Sequence, residues 1–199
     1  MELASNPGHN GVVNQTLEII AGRFACRAFA DTPIPRATLR AITEAGLHSP
    51  SAMNRQPWRL IVVDDRAQLA ELGEVGLAAL KISDPAGYER IMGRGGQLLY
   101  NAPALILIAR EQLVSEWSPD LDVGIMASHL ALAAGSLGIN SCIAALPGVA
   151  FTGADGLARA RKLGIPEGFD FGLSVLLGYK AKDFTPHAID PSKVIGLDG

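Results

Sequence analysis

The stretch SPSAMNRQPW, residues 49–58, decides how the rest of the chain is read. It lies between a helical pattern carrying Leu39, Ile42 and Leu47 and the apolar run RLIVV at 59–63. Pro50 and Pro57 stiffen the backbone there. Ser49, Ser51, Asn54 and Gln56 supply short side chains that donate and accept hydrogen bonds. With the backbone N–H groups between them, they suit the edge of a flat polar heterocycle. The same residues also suit an ordinary Asx- or Ser-capped turn, and composition alone does not separate the two. Trp58 opens the strand. Core packing is its default role, and a substrate contact is the alternative.

Outward from this stretch the elements alternate. A helix is expected over 15–24, with Leu17, Ile20 and Phe24 on one stripe. DTPIP (31–35) reads as a turn, and Pro35 suits the first position of a helix through 47. After the 59–63 strand, Asp64 or Asp65 caps the next helix. Residues 73–97 hold six glycines and a proline with no steady period, so part reads as helix and part as a flap over a site. APALILIA (102–109) and FGLSVLLG (171–178) read as buried strands. SPDLDVGIMASHLALAAGSLG (118–138) is the clearest helix, with Leu121, Ile125, Ala127, Leu132 and Ala133 as its apolar contacts and small residues over much of its surface. INSCIAAL (139–146) reads as a strand. Thr152 and Asp155 form a capping-box candidate before a helix ended by Gly164. The order α-α-β-α-α-β-α-β-α-β implies an α/β or α+β fold, a mixed sheet flanked by helices. Residues 1–14 are expected to be a loose arm, 15–180 one domain, and 181–199 a polar extension long enough to pack on a partner subunit.

The 199 residues fit one domain. Charged residues make up only 19%, low for a lone soluble surface. A partner subunit would explain that, although abundant alanine and glycine also dilute charge. The net charge of −3, with 17 basic residues spread out, excludes a nucleic-acid groove. No apolar run reaches membrane-spanning length, and the first thirteen residues lack a secretory pattern. Cys26 and Cys142 have no metal-type spacing. They read as free thiols of a reducing, cytoplasmic compartment. The glycines of GRGGQ (93–97) do not match a dinucleotide loop, and the histidines show no ligand spacing, so no metal site is expected. Arg23 and Arg27 stand four apart. On a helix they would share a face and offer two forked donors to a phosphate or carboxylate, or they are two surface arginines.

Three places resemble the nitroreductase family of flavoproteins. AGRFACRAFADTPIP (21–35) resembles its opening Arg-Arg-Ser-x-Arg-x-Phe segment and turn. AGLHSPSAMNRQPWRLIVV (45–63) resembles its Ala-Pro-Ser-x-x-Asn-x-Gln-Pro-Trp signature. NAPALILIA (101–109), followed by DVGIMASHLALAAGSLGINSCIAAL (122–146), resembles its Asp-x-Gly helix and Leu-Gly-Leu and Cys segment; LLGY (176–179) also fits. The likeness covers about residues 15–195.

The resemblance implies a homodimer holding FMN at the subunit interface. It also implies ping-pong transfer of hydride from NADH or NADPH, through flavin N5, to nitroaromatics, quinones, enones or other small acceptors. The flavin carries the chemistry, so no catalytic side chain is assigned. By the same resemblance Arg23 and Arg27, with Phe24 and Ala25 between them, meet the FMN phosphate or ribityl chain. Pro50, Ser51, Ala52 and Asn54 line the flavin from the facing subunit, and Gln97 reaches the ring. Ile143, Ala144 and Ala145 pass near it, with a backbone N–H close to N5 that favours the charge-bearing reduced ring. His187 or Lys193 is the candidate for a C-terminal phosphate contact. The chain departs from the family pattern at Phe24 and Ala25, where Arg-Ser is usual, losing one donor and one hydroxyl for the phosphate. Two alternatives stay open on sequence alone: a flavin-dependent dehydrogenase or oxidase of a biosynthetic pathway, and a non-enzymatic dimer that stores or has lost the flavin.

Overall fold

A strand with no polar side chain until its last two residues must be covered on both faces. The run ALILIARE meets that condition as the strand Ala104–Glu111. Its alternate residues divide the core. Leu105, Leu107 and Ala109 belong to one buried cluster, and Ala104, Ile106 and Ile108 to the other. The structure, a computed structural model, describes residues 14–112 and 119–196. The expected arm lies outside them except for Asn14, whose side chain caps the first helix by accepting from the Leu17 N–H at 3.0 Å. The elements are α1 (Gln15–Gly22), α2 (Arg36–Leu47), β1 (Trp58–Val63), α3 (Arg66–Ser83), α4 (Pro85–Met92), β2 (Ala104–Glu111), α5 (Pro119–Ser136), β3 (Asn140–Ala144), α6 (Gly156–Leu163) and β4 (Phe169–Gly178). Their order is the one read from the sequence.

The sheet runs β1-β2-β4-β3. A sheet flanked by helices was expected and is found. The mixed strand directions were also expected, but within this chain all three pairings are antiparallel. Between Ile108 and Ala109 the register of β2 against β4 slips, so that Gly172 is the extra residue of a bulge. A Cβ there would come within 2.9 Å of the Ile108 carbonyl, which is why glycine stands at the bulge.

α2 and α5 cover one face of the sheet. Ile42, Val123, Met126 and Leu130 pack with Ile106 and Ile108. On the other face Leu69 and Leu72 of α3 and Ala160 of α6 join Leu107 and Leu176. Gln68 N–H bonds to the Asp65 carboxylate, so Asp65 rather than Asp64 caps α3. The stretch without a period at 73–97 is helical through Met92, because Asp84 accepts from Gly87 N–H at 2.8 Å and starts α4 at once.

Three local expectations fail. α1 stops at Gly22, so Phe24 leaves the stripe it was assigned to. On α5, Leu121 is 77% exposed and Ile125 is exposed as well; the sheet-facing residues are Val123, Met126, Ala127, Leu130 and Ala134. The Thr152/Asp155 capping box does not form. Thr152 Oγ1 donates back to the Val149 carbonyl, and Asp155 makes no side-chain cap. Arg159 satisfies the freed carbonyls of Ala150 and Thr152 instead. Among the described residues no helix is long and apolar enough to cross a membrane.

Two glycines test this packing in opposite senses. A Cβ on Gly73, inside α3, meets nothing within 4 Å, whereas one on Gly156 would stand 2.1 Å from the Phe151 carbonyl oxygen. We expect Gly73→Ala to raise stability by about 0.5–1 kcal/mol. Gly156→Ala should lower it by about 1–3 kcal/mol. Urea unfolding midpoints of the two variants check both signs.

Candidate functional site

The segment after α1 is held by other parts of the fold and not by its own helix. Arg23 is extended (φ −68°, ψ 135°). Cys26 N–H bonds to the Ser141 carbonyl at 2.9 Å, Phe29 N–H to Tyr100 and Ala30 N–H to Tyr179. Arg23 and Arg27 therefore do not share a helix face, as their spacing suggested. Arg23 is half-buried in a groove between α1 and the end of α5, lined also by Gly135, Ser136 and Asn140. Arg27 is exposed. Both charges reach the same place: burial pushes the Cys142 thiol up, while Arg27 and, less strongly, Arg23 pull it down. Phe24 stacks on Phe184 with ring centroids 5.3 Å apart, and Ala25 is half-buried against the core.

The 49–56 loop is a strained backbone held by side chains. Met53, Asn54 and Gln56 have φ of 52°, 54° and 51°, a region that bulky residues such as methionine rarely adopt. Three bonds hold it there. Ser51 Oγ accepts from Gln56 N–H at 2.9 Å, Gln56 Nε2 donates to Asn54 Oδ1 at 3.0 Å, and the Asp122 carboxylate accepts from Ala52 N–H at 3.2 Å. Pro50 and Asn54 are exposed, Ser51 and Ala52 half-buried. Met53 projects at 84% exposure. The Ser49 hydroxyl is buried with no partner among the described residues. Trp58 is in the core, its default role.

A third group stands at the end of β3. Ile143 and Ala145 are exposed and Ala144 half-buried. The Ala144 carbonyl accepts from Ser174 Oγ at 2.7 Å. Gly148 N–H closes the following turn onto the Ala145 carbonyl. Phe171 packs so closely on Gly148 that a Cβ there would lie 2.6 Å from the ring.

The Cys26–Ser141 bond joins two of the predicted groups, 23–27 and 143–145. The 49–54 loop does not join them within one chain. Asp122, which holds that loop, sits in the first turn of α5, and Gly135, beside Arg23, near its end. More than three helical turns, about 20 Å, separate them. Gln97 is exposed and lines a different cavity with Asp31, Arg66 and Asn101. His187 and Lys193 are exposed on the tail, Lys193 in a short 3-10 turn at 191–193. That tail begins on its own chain, through Ala181 N–H to the Ala28 carbonyl and the Phe24–Phe184 stack. Sequence reasoning quoted Asp122 inside a motif without giving it a task and passed over Ser174. Both are buried polar residues in apolar stretches, and that is the signal that marks them. Among the described residues no group of His, Cys, Asp or Glu could hold a metal ion.

The family model described as the nitroreductase family matches residues 20–179. A crystal structure of a nitroreductase with bound FMN from Desulfitobacterium hafniense is 39% identical, with a TM-score of 0.88 over 94% of this chain and 100% of that one. A second, a nitroreductase with bound FMN from Bacteroides fragilis, is 28% identical, with a TM-score of 0.83 over 94% of this chain and 100% of that one. An NADH dehydrogenase of Thermus thermophilus is 39% identical over 62 residues, 31% of this chain and 30% of that protein.

Removing the carboxylate that holds the loop should release it. We expect Asp122→Ala to lower stability by about 1.5–3 kcal/mol, as for a charge-assisted bond. Amide exchange at Ala52 should accelerate. Asp122→Asn retains an acceptor oxygen and should fall between. Exchange at Ala52 unchanged in the alanine variant would refute the role.

Proposed function

This chain belongs to the nitroreductase family, and we propose that it is an FMN-dependent NAD(P)H oxidoreductase acting on small electron-poor acceptors such as nitroaromatics, quinones or enones. The observation that carries this reading is the division of the polar groups into two patches, each incomplete, at opposite ends of α5. A second copy would bring the 49–54 loop of one chain over the 23–27 and 143–145 groups of the other. Both solved relatives described above hold FMN.

The residues present fit that group. Arg23 in the wall of the groove, with the exposed Arg27 four residues on, suits a phosphate. With Asn54 Oδ1 occupied by Gln56, the amide nitrogen of Asn54 is left to face a ligand acceptor. Main-chain N–H groups at the end of β3 offer donors that need no titration. When bound, FMN supplies hydride acceptance and donation, so the chain needs no acid or base of its own. Arg23 and Arg27 bind and orient the phosphate end. Pro50, Ser51 and Asn54 of the facing chain form a stiff wall that keeps water from the ring. One redox group serving both NAD(P)H and the acceptor makes the kinetics ping-pong.

Several exposures support a homodimer. Leu121 and Ile125 on α5, Met53 on the loop, and Ile189, Val194 and Ile195 on the tail are all open in one chain. The extension beyond Phe184 would then lie on the partner, and His187 or Lys193 would be the cation nearest its phosphate.

The purified protein should be yellow, or become so with added FMN, and should bleach anaerobically with NADPH or NADH. A colourless protein that does not take up FMN would refute the reading. Arg23→Ala should weaken FMN binding about tenfold or more while leaving riboflavin binding nearly unchanged, as measured by fluorescence titration. Light scattering at micromolar concentration should give a dimer mass; a monomer would overturn the shared site.

A further inference from the structure

Ser174 is a polar residue where the sheet offers it no water. It stands in β4, paired with Leu107 of β2 on one side and Ala144 of β3 on the other, and its exposure is 0%. Its neighbours Val175, Leu176 and Leu177 are equally buried and all apolar. A hydroxyl in such a place is tolerated only when it is hydrogen-bonded. Its partner is the Ala144 carbonyl at 2.7 Å. An alanine would fill the position without that requirement, so the hydroxyl serves the carbonyl.

That carbonyl belongs to the last peptide of β3. The peptide is trans, so its C=O and its N–H point in opposite directions. Gripping the Ala144 oxygen therefore sets the direction of the Ala145 N–H. Beyond Ala144 the ladder ends, and among the described residues no backbone acceptor takes the Ala145 N–H. The chain then turns at Ala145 (φ −87°, ψ −24°) into Pro147, which has no N–H to offer. The ladder's last rung holds the Ala144 carbonyl only from the Ser174 backbone, and the Ser174 hydroxyl adds a second bond to the same oxygen that limits how far this final peptide can turn.

We infer that Ser174 is a positioning residue: from inside the sheet it holds the Ala144–Ala145 peptide so that the Ala145 N–H faces the flavin ring. The inference rests on the functional reading above, in which 143–145 pass the ring. The hydroxyl touches neither cofactor nor substrate. Its effect is electrostatic and indirect. A fixed N–H dipole with its positive end toward the ring favours the electron-richer reduced form, and a peptide already fixed needs no reorganisation when electrons arrive.

The test uses FMN-loaded protein and its midpoint potential, measured against reference dyes. Ser174→Ala should shift the potential negative, lowering the reduced-to-oxidised ratio at fixed poise about three- to tenfold. For a two-electron couple this is about 15–30 mV. Ser174→Thr keeps the hydroxyl and should restore the parent value. Amide exchange at Ala145 in the same samples should quicken in the alanine variant and recover in the threonine variant. A role in stability alone would lower the unfolding midpoint without moving the potential, and that outcome overturns the proposal. So does a shift that threonine does not rescue. Ala145→Pro separates the two levels, because it removes the N–H itself. If it leaves the potential unmoved, the placement of 143–145 at the ring fails, and the role of Ser174 with it. If it shifts the potential while Ser174→Ala does not, only the positioning role fails.

Discussion

Burial of β2 on both faces is the constraint from which the rest follows. Its residues from Ala104 to Ala109 have almost no contact with water, so helices must cover the sheet on both sides. No polar chemistry can then be placed on a sheet face without a large desolvation penalty. It moves to the margins: to the end of β3, the outer strand beside β4, and to the loop before β1, the other outer strand. The long helix α5 links these margins, with Asp122 at one end and the Arg23 groove at the other.

The two margins are built in the same way. A buried polar side chain reaches out of the apolar interior to hold one backbone group of an exposed or half-buried segment. Asp122 holds the Ala52 amide, and Ser174 holds the Ala144 carbonyl. With Ser49 and Ser141 they are the buried polar residues among those described. Such grips suit a protein whose bound group brings its own reactivity. What the chain must add is orientation, which rigid main-chain donors keep without titrating across physiological pH.

The strained loop gives one further reason for the grip at Asp122. Left-handed conformations at Met53, Asn54 and Gln56 are costly for residues with a Cβ and persist only where surrounding bonds determine them. Ser51, Gln56 and Asp122 provide those bonds, two of them within the loop and one from α5. A second chain lying over this loop would meet a surface already shaped, with little left to order on association.

The sequence alone was enough for most of what depends on neighbours along the chain, the Thr152/Asp155 cap excepted. The apolar run 102–109, the helix at 118–138 and the order of all ten elements could be read because burial period and capping chemistry are local. The stretch 49–58 could be read as a stiff polar loop before a strand for the same reason, and its family signature identified the kind of protein. What depended on distant partners could not be read. Helix α1 ends at Gly22 because Ser141, Tyr100 and Tyr179 take the backbone groups that follow, and this undid the shared face of Arg23 and Arg27. Leu121 and Ile125 resemble core residues in a pattern but face outward, because periodicity reports that a face is apolar and not what lies against it. Asp122 and Ser174 acquire meaning only when folding sets Ala52 and Ala144 beside them, from 70 and 30 residues away. A hydrogen bond needs two groups in place at once, and which two meet is decided by the packing of the whole chain.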